Sequence, residues 1–319
     1  MGFCQLHTWR NIPNSPKRYA LISRHPATRT AVVFVHGFLG DSVGTWEQFQ
    51  VKIDQISTSL KWWSTCDLFF FGYPSADQRI GLSASQLLGF LRQIIPEPNP
   101  LLFFPGETAR TFTPDLDISS FALRASSPYT ALVLVGHSQG AVVIRQAILD
   151  SVDSARTRLR QACGPDLDDP SAFDFLDAWF ALLLNARLCL FSPAHRGLSL
   201  SGLAGVLYES SLLRSIFQPA LAGLSPAFRE LQDSSQTLAD LRTRTESHFD
   251  AFRLPALSAT IVYGAEDHVV SDLRFSCDPP PIYQPGQTHA SVCKPTAAYT
   301  APLEHVSDVE TRHVTASQH

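Results

Sequence analysis

The sequence predicts an α/β protein with a mostly parallel central sheet that is flanked by helices. Three observations lead to this prediction. Dense apolar runs of strand length alternate along the chain with segments whose apolar residues have helical spacing. Several of these runs end in glycine-containing loops, and one leads into a Gly-His-Ser-Gln-Gly turn at residues 136–140. Loops that follow parallel strands meet at one edge of a sheet, where α/β proteins place their sites.

The first elements follow this alternation. A β-branched apolar run at Thr30–Val35 predicts a buried central strand, and the glycine-containing loop 36–40 follows it. Residues 46–60 space their apolar side chains as an amphipathic helix does. The run 67–73 predicts the next strand, and residues 82–95 predict a helix that ends before Pro96.

The middle of the chain interrupts the alternation and then restores it. Residues 96–117 contain five prolines and little periodicity, which predicts an irregular insertion. A short helix is expected near 118–126, and the apolar run 131–135 predicts the strand that carries the Gly-His-Ser-Gln-Gly turn. About six strand candidates and no internal repeat indicate one domain over residues 1–319.

The second half continues the pattern. Residues 141–152 predict the helix after the turn, with Arg145 and Asp150 on its exposed side. Strands are expected at 188–191 and 259–263, which gives a core of about 30–197 and 256–300. Between these strands, residues 198–255 are leucine-rich and helical in pattern, and predict a cap or lid that either lines an acyl pocket or simply covers the sheet. The polar residues 300–319 are expected to fray.

Ser138 is the candidate nucleophile, because glycines at 136 and 140 let a serine occupy a sharp turn between strand and helix. A serine hydroxyl needs a histidine base and a carboxylate behind that base. In folds with such a turn the chain order is serine, acid, histidine. Asp267, after the 259–263 strand, and His289 satisfy this order.

Other residues compete for these two roles. Glu266 is the alternative acid, and His268, His305 and His313 also follow the acid in the chain. His268 directly follows the acid and would have difficulty reaching the serine.

Acyl transfer also needs two donors for the oxyanion, and losing one donor typically costs about 3 to 4 kcal/mol of transition-state stabilisation. The backbone amides of Phe38 and Gln139 are the candidates, one from the loop after the first strong strand and one from the turn itself. His36 is expected to pack and form hydrogen bonds under its loop rather than to take part in catalysis.

Composition narrows the classes of partner and location. Apolar residues make up 45% of the chain and charged residues 17%, and the net charge of −4 offers no footprint for nucleic acid or an anionic membrane. The sequence shows neither a secretory signal nor a membrane-spanning run, so a cytoplasmic location is expected. The six cysteines form no Cys-x-x-Cys pair, so no metal and no cofactor are predicted. Cys277 and Cys293 would pair only in an oxidising compartment.

Several of these stretches together resemble the α/β-hydrolase superfamily, and within it the lipase-like serine esterases that include the inositol-deacylase and SERAC-related proteins. The resemblance spans about residues 30–296, and it is carried by His36-Gly37-Phe38-Leu39-Gly40 with Thr45-Trp46, by Phe71-Gly72-Tyr73, by Gly136-His137-Ser138-Gln139-Gly140, by His195-Arg196-Gly197, and by His289 with Cys293-Lys294-Pro295. The resemblance implies that Ser138, Asp267 and His289 form a triad, in agreement with the choice made from the residues alone.

The predicted function is hydrolysis of a carboxylic ester with an apolar or lipid-like acyl group, through an acyl-enzyme on Ser138. Two alternatives stay open. The same triad serves acyltransferases and thioesterases, and an inactive hydrolase fold serves as a binding module.

Overall fold

The fold is described from a computed structural model of the chain. The structure describes residues 6–11, 18–23, 28–42, 44–46, 49, 61–99, 128–163, 176–198, 225–232 and 235–316.

Eight strands form one sheet in the order β1-β2-β4-β3-β5-β6-β7-β8. The strands are β1 Leu6–Asn11, β2 Arg18–Ser23, β3 Thr30–Val35, β4 Cys66–Phe71, β5 Ala131–His137, β6 Arg187–Phe191, β7 Ala259–Gly264 and β8 Ile282–Gln284. β2 is antiparallel to both of its neighbours. The six strands that follow it in the sheet, in the order β4-β3-β5-β6-β7-β8, are parallel to one another. The carboxyl ends of these six strands therefore share one edge of the sheet.

Six α-helices flank the sheet within the described residues. They are α1 Ile80–Ile94, α2 Gln139–Cys163, α3 Ala178–Leu184, α4 Pro226–Glu230, α5 Gln236–Phe252 and α6 Ala301–Ala316. Two 3₁₀ turns, Lys61–Thr65 and Pro255–Leu257, lead into β4 and β7.

The core lies on both faces of the sheet, which is why the inner strands are apolar at every position. In β3, Val33 and Val35 contribute to the cluster that α1, α2, α3 and α5 cover, whereas Val32 and Phe34 face the other cluster. Successive side chains of a strand point to opposite faces, so a strand buried on both sides needs a continuous apolar run. All six residues of β3 are buried accordingly.

The strands predicted at 30–35, 67–73, 131–135, 188–191 and 259–263 all occur, with ends that differ by no more than two residues. The helix predicted at 82–95 is α1, and the one predicted at 141–152 is α2, which continues to Cys163. The described residues of the predicted cap, 225–232 and 235–252, contain α4 and α5. The predicted insertion from residue 100 onward, the helix at 118–126 and most of the helix at 46–60 lie outside the described residues.

The expectation of a frayed tail at 300–319 is wrong for most of its length. Residues 301–316 form α6, and Leu303, Val306 and Val309 are buried against the sheet. These three residues recur at i, i+3 and i+6, so their shared apolar face, rather than the polar majority of the segment, decides its structure.

Cys66, Cys189, Cys277 and Cys293 form no disulfide, and Cys277 and Cys293 belong to the two different core clusters. They therefore lie on opposite faces of the sheet and cannot pair with each other. In the part of the chain that the structure describes, no helix is both long and apolar enough to cross a membrane.

Candidate active site

Ser138 occupies a strained turn between β5 and α2. Its φ is 53°, in the left-handed region that residues other than glycine rarely adopt. Its N–H donates to the carbonyl of Phe191 at 3.0 Å, and its own carbonyl accepts from Ala141 and Ala194 at 3.2 Å each. The turn is thus fixed from both β6 and α2, and it places Ser138 at the carboxyl edge of the sheet with 3% of its surface exposed.

Two glycines allow the backbones around Ser138 to approach closely. A Cβ on Gly140 would lie 2.1 Å from the carbonyl oxygen of Val35, which belongs to the neighbouring strand. A Cβ on Gly37 would lie 2.9 Å from Cβ of Ser138. The loop after β3 therefore passes directly against the serine, and neither position has room for a side chain.

Asp267 and His289 lie on two loops that are hydrogen-bonded to each other. After β7, the N–H of Ala265 donates to Gln284 at 2.9 Å, and the N–H of Glu266 donates to Gln287 at 3.0 Å. Because Gln284 ends β8 and Gln287 belongs to the loop after it, the acid loop and the histidine loop run side by side. Both start at the carboxyl edge that carries Ser138.

The two side chains themselves form a buried pair. Nδ1 of His289 lies 2.9 Å from Oδ2 of Asp267, while Oδ1 accepts from the N–H of Val269 at 2.9 Å and of Val270 at 3.3 Å. Burial of the Asp267 carboxyl alone would raise its pKa, but the hydrogen bonds to the carboxylate, above all that of His289, and the attraction to the His289 ring when it is protonated outweigh burial, so the pKa is lowered. An ionised carboxylate only accepts hydrogen bonds, so Nδ1 of His289 carries the hydrogen and Nε2 of the neutral ring is free to act as a base.

The two predicted oxyanion donors belong to the amino end of α2 and to the loop after β3. Gln139 is the first residue of α2, and the first N–H groups of a helix have no acceptor within the helix. Phe38 follows Gly37 in a tight turn in which the N–H of Gly40 donates to Gly37 at 3.0 Å and Leu39 has a φ of 60°.

His36 packs under this loop, as expected. Its Nε2 accepts from the N–H of Tyr73 at 3.2 Å, its carbonyl accepts from the Tyr73 hydroxyl at 2.8 Å, and the two rings stack with centroids 4.4 Å apart. An imidazole nitrogen that accepts a hydrogen bond is unprotonated, so the hydrogen lies on Nδ1, 2.9 Å from the carbonyl oxygen of Gly37. His36 thus braces the loop that presents Phe38.

The structure brings Asp267 and His289 into contact and places Ser138 on the same sheet edge. Among the described side chains, no hydrogen bond joins the Ser138 hydroxyl to His289. Of the competing histidines, His268 is exposed, whereas Nε2 of His305 lies 2.7 Å from Nε2 of the Gln284 amide. The side chain of His313 lies outside the described residues.

Arg145, which the sequence places on the exposed side of its helix, is instead 2% exposed. Its Nη2 donates to both carboxylate oxygens of Asp278 at 2.7 and 2.6 Å, and its Nε donates to Nε2 of His195 at 3.0 Å. Burial, together with the Arg145 charge, holds the pKa of His195 well below its usual value. This network joins α2 to the loop after β6, whose Ala194 donates to Ser138. The only signal for this network in the sequence is the position of Arg145, a charged residue in the middle of an apolar helix face.

A second feature that sequence reasoning missed is His137, the residue before Ser138. Its Nε2 lies 2.9 Å from the backbone carbonyl oxygen of His289, and the two imidazole centroids are 4.9 Å apart. The position of His137 next to the serine was visible in the sequence, but its partner is 152 residues away.

The two sides of the site differ in polarity. A cavity of about 530 Å³ adjoins the acid loop and is lined in part by Arg196, His268 and Asp272. Pockets for apolar groups are lined mainly by hydrophobic side chains, so this charged cavity does not suit an acyl chain. On the side of the loop after β3, by contrast, the Phe38 ring lies 6.2 Å from the ring of Phe228 in α4.

Across the described ranges, no group of three His, Cys, Asp or Glu side chains has the arrangement that holds a metal ion.

Comparisons with known proteins give structural similarity only. No protein-family model matches the chain, and no curated protein matches it in sequence. A Bacillus licheniformis lipase, BlEst2 in its mature form, is similar in structure with 15% identity, a TM-score of 0.44, and coverage of 89% of this chain and 95% of that one. Est1E from Butyrivibrio proteoclasticus has 13% identity, a TM-score of 0.46, and coverage of 97% and 99%. The peroxisomal alpha-beta-hydrolase Lpx1 from Saccharomyces cerevisiae has 11% identity, a TM-score of 0.46, and coverage of 98% and 89%.

At these identities and TM-scores, the similarity by itself carries nothing about activity. The fold follows from the chain's own topology. The sheet has the order β1-β2-β4-β3-β5-β6-β7-β8 with antiparallel pairing only at β2, and β5 delivers a serine into a strained turn before a long helix. The protein therefore has the α/β-hydrolase fold.

Proposed function

We propose that this protein is a serine hydrolase that cleaves a carboxylic ester. The observation that carries the proposal is the buried hydrogen bond between His289 and Asp267, on loops that share a sheet edge with the strained turn at Ser138. A neutral histidine with a free Nε2, oriented by an ionised acid, is the base that a serine nucleophile needs. Strain at a residue other than glycine is often retained at functional sites.

The reaction has two halves in this proposal. Nε2 of His289 removes the proton of the Ser138 hydroxyl as Oγ attacks the ester carbonyl carbon. The protonated His289 then gives this proton to the departing alcohol, which leaves an acyl group on Ser138. In the second half, water attacks the acyl-enzyme with His289 again as base, and the carboxylic acid departs as the serine hydroxyl is restored. Hydrogen bonds of this kind often tighten only in the substrate complex, which is consistent with the absence of a direct contact between Ser138 and His289.

The backbone amides of Phe38 and Gln139 are the proposed donors for the oxyanion. The amide of Gln139 belongs to the amino end of α2, where the helix dipole also favours negative charge. The close approach of Gly37 to Ser138 supports the choice of the next amide in the chain, that of Phe38, as the second donor. Donors that are fixed before the reaction starts are the most effective.

We propose that the acyl group of the ester substrate is apolar. The Phe38–Phe228 contact links the oxyanion loop to α4 of the predicted cap. Phe228 is buried, so an acyl chain directed there would meet the half-buried ring of Phe38, which Phe228 supports from behind. α4 is fixed to the core, because Glu230 accepts from the N–H of Ile80 at 2.7 Å and the Ser225 hydroxyl donates to Ala76 at 2.6 Å. This end of the cap therefore offers a firm wall.

Labelling with a fluorophosphonate probe tests the nucleophile. The wild-type protein should be labelled and Ser138→Ala should not. Ser154→Ala is the matched control, because Ser154 lies on α2 and its hydroxyl donates only to the helix carbonyl of Asp150, at 2.7 Å. Labelling of Ser138→Ala at the wild-type rate would reject the assignment.

A chain-length series of chromogenic esters tests the reaction and the base. His289→Ala should reduce turnover by several orders of magnitude, whereas the exposed His268→Ala should retain it. Product analysis with added alcohol, amine and thiol acceptors separates hydrolysis from acyl transfer. A protein that neither turns over any ester nor reacts with the probe would be a binding module.

A further inference from the structure

His137 links the nucleophile turn to the histidine loop. It is the last residue of β5 and directly precedes Ser138, and only 8% of its surface is exposed to solvent. Its Nε2 is 2.9 Å from the carbonyl oxygen of His289, and its ring lies at 51° to the His289 ring with centroids 4.9 Å apart. The Trp46 ring also contacts the His137 ring, with ring centroids 6.5 Å apart and an interplanar angle of 79°.

The direction of this hydrogen bond is fixed by its acceptor. A carbonyl oxygen only accepts, so Nε2 of His137 carries the hydrogen and donates it. Burial, with a further contribution from His289, lowers the pKa of His137 to about 3, so the ring stays neutral near pH 7. Nδ1 then has a lone pair that is buried without a hydrogen-bond partner.

A ring buried with an unpaired nitrogen is an unfavourable way to fill space. Buried polar atoms in folded proteins nearly always have partners, and a phenylalanine would fill a similar volume without this cost. What the imidazole offers and a phenylalanine ring lacks is the Nε2–H that holds the His289 carbonyl.

The loop of His289 has contacts with itself and with the loop after β7. It is closed by the N–H of Thr288, which donates to the Ser291 hydroxyl at 2.9 Å, and by the N–H of Val292, which donates to Thr288 at 3.1 Å, while the N–H of Glu266 donates to Gln287 at 3.0 Å. None of these three bonds joins the loop directly to β5. The bond from His137 does, because His137 and Ser138 are covalent neighbours.

We propose that His137 is a positioning residue, whose Nε2–H holds the backbone of His289 and thereby sets the distance between the His289 imidazole and the Ser138 hydroxyl. The inference rests on the proposed function. Asp267 fixes the orientation of the His289 ring, and His137 fixes the position of its main chain. A misplacement of about 1 Å between reacting groups is enough to cost on the order of 100-fold in rate.

The test compares ester turnover in His137→Phe with that of the wild type. Phenylalanine keeps a flat buried ring and loses the donor, so kcat should fall about 10- to 100-fold while KM changes less than about two-fold. Trp46→Phe is the control for packing. Trp46 contacts the same ring, and its indole nitrogen has no hydrogen-bond partner among the described residues, so kcat should stay near the wild-type value.

A second pair of variants separates the hydrogen bond from side-chain volume and remains informative if His137→Phe does not fold. Glutamine and methionine have similar lengths, but only glutamine ends in an N–H donor. His137→Gln should therefore turn over ester several-fold faster than His137→Met. Equal kcat values in the two, or a His137→Phe enzyme no slower than Trp46→Phe, would overturn the positioning role.

The two proposals fail in different ways. A wild-type protein that shows no turnover and no probe labelling overturns the proposed function, and the inference about His137 with it. Turnover that Ser138→Ala abolishes and His137→Phe leaves intact keeps the proposed function and overturns only the inference.

Discussion

Nδ1 of His289 and Oδ2 of Asp267 lie 2.9 Å apart, and their side chains retain only 5% and 2% of their exposed surface. Both carboxylate oxygens of Asp267 have hydrogen-bond partners in the protein, since the other oxygen, Oδ1, accepts from two backbone N–H groups. This arrangement fixes the tautomer of His289, and with it the nitrogen that is left to accept a proton.

Asp267→Asn should therefore abolish most of the activity without unfolding the protein. An amide in place of the carboxylate offers His289 a donor or a neutral acceptor, so the correct tautomer and the stabilisation of the protonated ring are lost. The expected fall in kcat is about four orders of magnitude. Steady-state kinetics on a chromogenic ester, with circular dichroism to check the fold, measures it.

Glu266 provides the matched control for this prediction. It is the neighbouring acid and is exposed, so Glu266→Gln should change kcat by less than about two-fold. A large loss in Glu266→Gln together with an active Asp267→Asn would exchange the roles of the two acids.

The buried histidines predict how stability depends on pH. The pKa of His137 is lowered to about 3, so between pH 6.5 and 3 the unfolded chain binds a proton that the folded protein does not. The free energy of unfolding must then fall as the pH is lowered through this range. His137→Phe removes one such site, and its loss of stability between pH 6 and 5 should be smaller than that of the wild type by about 1 kcal/mol.

Urea unfolding at these two pH values measures the difference. His268→Gln serves as the control, because His268 is exposed and its replacement should leave the pH dependence unchanged. The carboxylate of Asp267 does not interfere, since its lowered pKa acts below about pH 4. Equal pH dependence in His137→Phe and the wild type would mean that His137 titrates normally in the folded state.

The inner strands were predictable from the sequence because they are buried on both faces. β3, β5, β6 and β7 each contain a short run of apolar residues, and such runs are typical of strands in the middle of a parallel sheet. The edge strands β1 and β8 were not predicted, and neither was β2, which lies between β1 and β4. β1 pairs on one side only and contains charged and polar residues, and β8 has three residues, so neither contains a run that stands out.

The residues of the candidate site that belong to local sequence motifs could be named from the sequence, whereas contacts between residues far apart in the chain could not. A turn motif identifies Ser138, and chain order after the last strands selects Asp267 and His289. The partners of Arg145 and His137 lie more than 100 residues away, at Asp278 and His289, and no local pattern reveals them. Arginine side chains are usually exposed, and here a buried carboxylate overrides that tendency.

Arg145→Met should destabilise the protein strongly. Removing the guanidinium leaves the Asp278 carboxylate buried without its bidentate partner, and breaking one side of a buried pair typically costs about 3–5 kcal/mol. Arg145→Lys should recover only part of this loss, because a lysine cannot contact both carboxylate oxygens and His195 at once. Chemical unfolding of the variants measures the cost.

A surface pair provides the contrast. Arg242 pairs with Glu246 at 3.2 Å, and its side chain is 47% exposed. Arg242→Ala should therefore cost less than about 1 kcal/mol. If Arg145→Met were no more destabilising than Arg242→Ala, the pair of Arg145 and Asp278 would contribute no more to stability than a surface pair does.

Gly37→Ala should impair activity through backbone displacement. The new Cβ would lie 2.9 Å from Cβ of Ser138 and 3.1 Å from Nδ1 of His137, closer than real side chains pack, so the loop that carries the Phe38 amide must move. An oxyanion donor that moves away typically costs on the order of 100- to 1,000-fold in kcat. Gly89→Ala, in the exposed part of α1 with open space around the new methyl group, should instead keep full activity and gain up to about 1 kcal/mol of stability.

The two variants carry the same chemical change, one added methyl group, and differ only in where it is placed. A difference between them therefore reports the effect of the site. Turnover, probe labelling and unfolding should be measured on both. Displacing the Phe38 amide weakens stabilisation of the tetrahedral intermediate, so Gly37→Ala should slow ester turnover far more than it changes KM. A Gly37→Ala enzyme with wild-type kcat would show that the loop after β3 can move without loss, and the second oxyanion donor would then have to come from a residue other than Phe38.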